Sequence, residues 1–265
     1  MNQLFFHPVI EYQIFSTYNS NKHQLWAFNT NDKKTITFDL FGLKQKIEPL
    51  SFLFSDITVQ IEEPERKEEL VYSPKTIKSD DMGIIMLDLS EIHNNKGVGT
   101  PLEPGNFDNY GASKGAYYPK VVLKKHITNN ILSTDSISFF TQIDAQNDNI
   151  ITNGQIIEIN QTGEFLYILG SCDHGSFSGE LEIGYDDGTQ ESKEYIQLTF
   201  PDWCDSGVGK TNVVLEMPYR YNSQDLKEWI NPKLYYQKIP IKGKTIKYLK
   251  LPVIPTMHIF GITFE

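Results

Sequence analysis

Turn signals interrupt this chain too often for it to build helices. Short apolar runs rich in Ile, Val, Tyr, Phe and Thr recur along it, and clusters of Gly, Asn, Asp or Pro close each one. Thr35-Ile36-Thr37-Phe38-Asp39-Leu40 and Ile57-Thr58-Val59-Gln60-Ile61 alternate with the period of a half-buried strand. Later runs at 156–159, 165–170, 179–185, 213–217, 245–251 and 258–264 read the same way. Only Ser223–Trp229 reads as a helical turn, with Ser223 as its N-cap. Without alternating helices a parallel α/β sheet has nothing to cover its faces. The pattern therefore predicts an all-β protein, an antiparallel sandwich or jelly roll.

Charge and composition narrow the classes of function. The chain has 24 Lys and Arg against 34 Asp and Glu, a formal charge of −10. That balance argues against a nucleic-acid binder, which needs a basic face to displace counterions from phosphates. No stretch approaches the ~20 apolar residues of a membrane-spanning helix, and the 39 % hydrophobic content suits a packed core rather than disorder. Residues 1–8 carry neither a basic nor an apolar leader region. The expectation is a cytoplasmic protein, or an extracellular one if the chain is a piece of a larger secreted protein. A charge-dense run at 63–69 and a polar break at 79–83 predict two modules: a small β module, immunoglobulin-like, over 1–80 and a larger one over 84–265.

Several motifs fail on their physics. Gly207-Val208-Gly209-Lys210-Thr211 resembles the end of a phosphate-binding loop, but the motif's first glycine falls on Cys204 and a strand pattern follows where a helix is required. Cys172 and Cys204 are the only cysteines, too few for a disulfide scaffold, and read as two reduced thiols. Cys172, Asp173 and His174 offer the residue types of a nucleophile or metal site without a supporting signature. His258 sits inside a strand pattern, where a satisfied sheet histidine is the ordinary reading. Asn160-Gln161-Thr162 has the form of a glycosylation sequon and nothing more. No carboxylate pair stands out as an acid and base.

Read in order, the landmarks of the last 180 or so residues carry more than each does alone. They are Asp108-Asn109-Tyr110-Gly111, Leu169-Gly170-Ser171, Tyr185-Asp186-Asp187-Gly188, Asp202-Trp203-Cys204, Pro218-Tyr219-Arg220-Tyr221-Asn222, Leu249-Lys250-Leu251-Pro252 and His258-Ile259-Phe260-Gly261-Ile262. This series resembles the galactose-binding-like β-sandwich modules appended to bacterial glycosidases. The resemblance implies a jelly roll that binds carbohydrate or packs against a carbohydrate-active partner. It leaves residues 1–80 uncovered and brings no catalytic domain.

The candidate ligand-binding residues are Asp173, His174, Asp202, Trp203, Tyr219, Arg220 and Tyr221, with no catalytic residue. An exposed Trp203 can stack on a pyranose, and a buried one can plug the end of the sandwich. Arg220 can hold a sugar hydroxyl or a uronate carboxylate with its planar fork, or pair with Asp202 and pin the loop. No cofactor is expected. Asn94, Asn95 and Asp108 are weak candidates for a structural Ca²⁺, with Asx-turn hydrogen bonding as the cheaper explanation. The competing classes are a glycan-active hydrolase or lyase using the acidic loop residues, and a structural β protein that forms homo-oligomers.

Overall fold

The computed structural model describes residues 71–78, 83–134, 136–186, 191–205 and 211–265, and the backbone of five strands between residues 10 and 58. The chain divides into two compact units, Met1–Glu68 and Glu69–Glu265. In the first, Ile10–Ser16, Lys22–Asn29 and Phe52–Thr58 form an antiparallel sheet, and Ile36–Leu40 pairs with Leu43–Ile47. The polar runs at 63–69 and 79–82, the turn at Asp187-Gly188 and the loop at 207–210 lie outside the described residues. Val71–Tyr72 and Lys75–Lys78, assigned by the sequence to the first module, pair instead with strands of the larger unit.

The larger unit is a β-sandwich. One sheet runs in the order Thr211–Glu216, Lys233–Pro240, Phe165–Cys172, Val253–Phe264, Ile85–Asp88, Lys75–Lys78. Ile150–Asn153 lies beside the first half of Val253–Phe264. The other sheet runs Glu191–Phe200, Phe177–Asp186, Thr245–Lys250, Ile156–Thr162, Val71–Tyr72. Leu166, Ile168, Ile259 and Ile262 of the first sheet meet Leu181, Ile183, Leu198 and Leu249 of the second in one apolar core.

Phe165–Cys172 is apolar almost throughout because both of its faces are buried. Leu166 and Ile168 point into the sandwich, while Tyr167 and Leu169 join a second core on the outer face. That second core is roofed by loops and short strands: Val98, Phe107, Tyr117, Tyr118, Phe139 and Trp203 pack with Phe260 and Leu169. A bulge sets the register here. Leu169 faces Gly261 and Gly170 faces Ile259, so Phe260 is the extra residue. The bulge lets Ile259 and Ile262 both face inward while His258 and Phe260 face the roof. Gly170 is required at this crossing, since a Cβ there would lie 2.5 Å from the His258 carbonyl oxygen.

Ser223–Trp229 forms no helix. Asn222 Oδ1 accepts from the backbone N–H groups of Gln224 (2.9 Å) and Leu226 (3.0 Å), an Asx-anchored turn. The chain then returns as Lys227–Glu228, paired antiparallel with Arg220–Tyr221. The anchor is thus Asn222 rather than Ser223, because its amide oxygen can hold two donors of one tight turn.

Candidate functional site

The strand Phe165–Cys172 delivers Asp173 and His174 at its end. The Cys172 N–H donates to the Pro201 carbonyl (2.9 Å) and the Trp203 N–H to the Cys172 carbonyl (2.8 Å), so 201–203 runs parallel beside it. Asp202 clamps this corner. One of its oxygens accepts from the Gly175 N–H (2.7 Å), the other from the Cys204 N–H (2.8 Å).

Asp173 is fully buried, and its Oδ2 accepts from the Asn109 N–H at 2.7 Å, tying the 107–113 loop down. His258 Nε2 lies 3.8 Å from the same oxygen. The other ring nitrogen, Nδ1, is 2.8 Å from Asn149 Oδ1. Asn149 Nδ2 donates to Asp148 Oδ1 (2.8 Å), which fixes the amide orientation and places the His258 proton on Nδ1. Burial holds His258 below the usual histidine range, although Asp173 pulls the other way. His174 sits exposed at the rim with φ of 54°, its ring against Gly111.

Trp203 is only 1 % exposed. Phe107 and Tyr118 lie 4.7 and 4.8 Å from its ring, and the Arg220 guanidinium sits 5.2 Å over it. It plugs the roof and presents no free face to a sugar. Tyr219 and Tyr221 are buried as well: Tyr221 stacks on Tyr117 at 5.3 Å, and Tyr219 meets it edge-on at 5.5 Å. Trp229, against Tyr219 at 5.6 Å, is the exposed aromatic of this region, at 73 %.

Arg220 pairs with Glu228 rather than Asp202. Its Nε donates to Glu228 Oε2 at 2.8 Å, and its Nη1 approaches the Cys204 sulfur at 3.6 Å. Burial pushes the Cys204 thiol up to about 12, against the pull of Arg220, so it is a poor nucleophile. Cys172, buried in the sandwich core, is likewise pushed up to about 12.

The three Ca²⁺ candidates are engaged in hydrogen bonds to different partners. Asn94 Oδ1 accepts from the Ile151 N–H (2.7 Å), and Asn95 Nδ2 donates to Asn149 Oδ1 (3.2 Å). Asp108 accepts from Ser113 Oγ and from the Tyr110 N–H, and its burial raises its carboxyl above the usual range. Among the described residues no three His, Cys, Asp or Glu side chains cluster as a metal site.

Between these segments lies an open pocket of about 510 Å³ lined by Ser113, Arg220, Asn222, Ser223, Gln224 and Glu228. Of the predicted ligand-binding set, only Arg220 lines it. Trp203 lies beneath Arg220, while Asp173 and Asp202 accept from the backbone of Asn109, Gly175 and Cys204 outside the lining. Tyr219 and Tyr221 flank Arg220 in the chain with their rings buried. Ser223, Gln224 and Glu228 escaped sequence reasoning because 223–229 read as a helix, and Ser113 because only the fold brings its turn beside them. The signal that could have found them is Asn222-Ser223-Gln224-Asp225, a run of polar turn formers between two short strands. No protein-family model matches this chain, and no curated protein does either.

Proposed function

We propose that this chain is a non-catalytic carbohydrate-binding protein, a galactose-binding-like jelly roll that seats a sugar in the Arg220–Glu228 pocket or docks onto a carbohydrate-active partner. The observation that carries this reading is the pocket's lining, which is polar at every position. Hydroxyl, amide, guanidinium and carboxylate groups together both donate to and accept from sugar hydroxyls, each of which needs both. The neighbouring acids favour binding over hydrolysis. Glu228 is held by Arg220, Asp202 by two backbone N–H groups, and Asp173 is buried. None of them stands free to donate a proton to a glycosidic oxygen and later take it back.

A glycan array probed with the full chain tests the reading. Binding is expected, and the Ser223→Ala, Gln224→Ala double variant should lose it while its unfolding midpoint stays at the wild-type value. Both positions are exposed at the mouth of the loop, where surface substitutions cost about 0.5 kcal/mol or less. A double variant that still binds as the wild type does would move the site elsewhere.

A further inference from the structure

We propose that the Arg220–Glu228 pocket selects neutral sugars and discriminates against uronic and other carboxylated sugars. The inference rests on the carbohydrate reading above and adds the substrate class.

An arginine recognises a carboxylate best through two parallel N–H groups on one edge of the guanidinium. Both such edges are compromised here. Nε is committed to Glu228 Oε2 at 2.8 Å, and Nη1 points to the Cys204 sulfur at 3.6 Å. The side chain is 12 % exposed, paired with Glu228 and seated 5.2 Å over Trp203, so turning it to free the Nε edge would break the ion pair. Nη2 then remains as the donor for the pocket, enough for one hydroxyl oxygen and too little for a forked carboxylate.

The field in the pocket points the same way. The Arg220 charge is offset by its ion pair with Glu228, and of the two side chains Glu228 is the more exposed, 34 % against 12 %, so an incoming carboxylate meets the negative partner first. Asp108 lies directly behind Ser113, whose hydroxyl donates to it, and it couples to Arg220 electrostatically. Glu228 Oε1 accepts from Asn222 Nδ2 at 3.3 Å, which keeps the carboxylate facing the lining. The remaining groups, the Ser223 hydroxyl and the Gln224 amide, are neutral and can serve a hydroxyl as donor or acceptor.

The test is calorimetric titration of the full chain with paired oligosaccharides that differ only at C6: galactose- against galacturonate-containing, and glucose- against glucuronate-containing. The neutral member of at least one pair should bind about tenfold or more tighter in low salt, with the gap narrowing at high salt as Glu228 is screened. Glu228→Gln removes the opposing charge and should narrow the gap by raising uronate affinity. Gln224→Glu adds a charge at an exposed position and should widen it, which keeps the proposal testable should Glu228→Gln fold poorly. Equal binding within both pairs, or tighter binding of the uronate members, overturns the selectivity and leaves the carbohydrate reading standing. Binding of no member of either pair, with an empty glycan array, overturns the carbohydrate reading and this inference with it.

Discussion

Trp203 is the residue on which the pocket stands, although no ligand can reach it. Its indole fills the space between Phe107, Tyr118 and the Arg220 guanidinium. Tyr118 in turn donates to the Lys233 carbonyl at 2.7 Å and shares a hydrogen bond with Ser171, so the plug is anchored on a fully buried tyrosine. Truncating the indole to Ala deletes the largest fully buried side chain of the described residues. The expected cost is about 3–5 kcal/mol, the range for a buried Trp. Trp203→Phe keeps a ring beneath Arg220 and should recover much of it. Denaturant unfolding of the two variants checks this. A cost near zero for Trp203→Ala would mean that the roof closes without its plug, and Arg220 would then have no fixed seat.

At the scale of elements, the Gln237 side chain ties the two sheets together along one edge. Glu191–Phe200 is an edge strand of its sheet, and an open edge leaves N–H and C=O groups without a ladder partner. Gln237 reaches across from the other sheet, accepting from the Thr199 N–H (2.8 Å) and donating to the Gln197 carbonyl (2.9 Å). Its amide does what a neighbouring strand's peptide would do. Gln237→Leu should cost about 1–3 kcal/mol, because the partly buried Thr199 N–H is left without an acceptor. Amide exchange at Thr199 should quicken beyond that at Leu181, deep in the same sheet. Unchanged protection at Thr199 would show that the strand holds itself. Such pairings also mark where sequence reading stops. Gly179–Tyr185 is legible because Leu181, Ile183 and Tyr185 face the core while Glu180 and Glu182 face out. Lys233–Pro240 is not, because its sheet is buried on both faces: Leu234 enters one core, Tyr235 the other, and the polar Gln237 is buried too. In Val253–Phe264 the bulge at Phe260 breaks the alternation that a period-two reading assumes. The site divides the same way. Arg220 could be named from its setting between two tyrosines, whereas the partners of Arg220 and Asp173 could not. Which acid meets Arg220 depends on a hairpin taken for a helix, and which histidine meets Asp173 depends on sheet order, which no local spacing encodes.

Across the larger unit, buried ionisable groups of opposite habit set the response to pH. Burial pushes His93 down from 6.5 to about 4, against weaker opposing pulls from Asn147 and Asp88, and neither ring nitrogen has a hydrogen-bond partner. Burial pushes the Asp148 carboxyl the other way, from 3.8 up to about 6, although Asn149, the Gly97 and Val98 N–H groups and Lys96 all favour its charged form. The signs follow from proton counts. Between pH 6.5 and 4 the unfolded chain protonates His93 and the native state does not, so this stabilisation is present above 6.5 and lost as the pH falls. Between pH 3.8 and 6 the native state holds a proton on Asp148 and the unfolded chain does not, so that stabilisation is present below 3.8 and lost as the pH rises through 6. Each contribution spans about 3 kcal/mol at about 1.4 kcal/mol per pH unit, and from pH 6 to 4 the two oppose each other. Removing either group should expose the other. In His93→Leu, whose new side chain suits a site offering the ring no hydrogen bond, the change in stability from pH 6 to 4 should shift relative to wild type toward gain, by about 2–3 kcal/mol. In Asp148→Asn it should shift toward loss by a similar amount. Urea unfolding of wild type and both variants at half-unit steps of pH measures this directly. Parallel curves for the three proteins would mean that water reaches both groups in the native state and that neither is buried in solution.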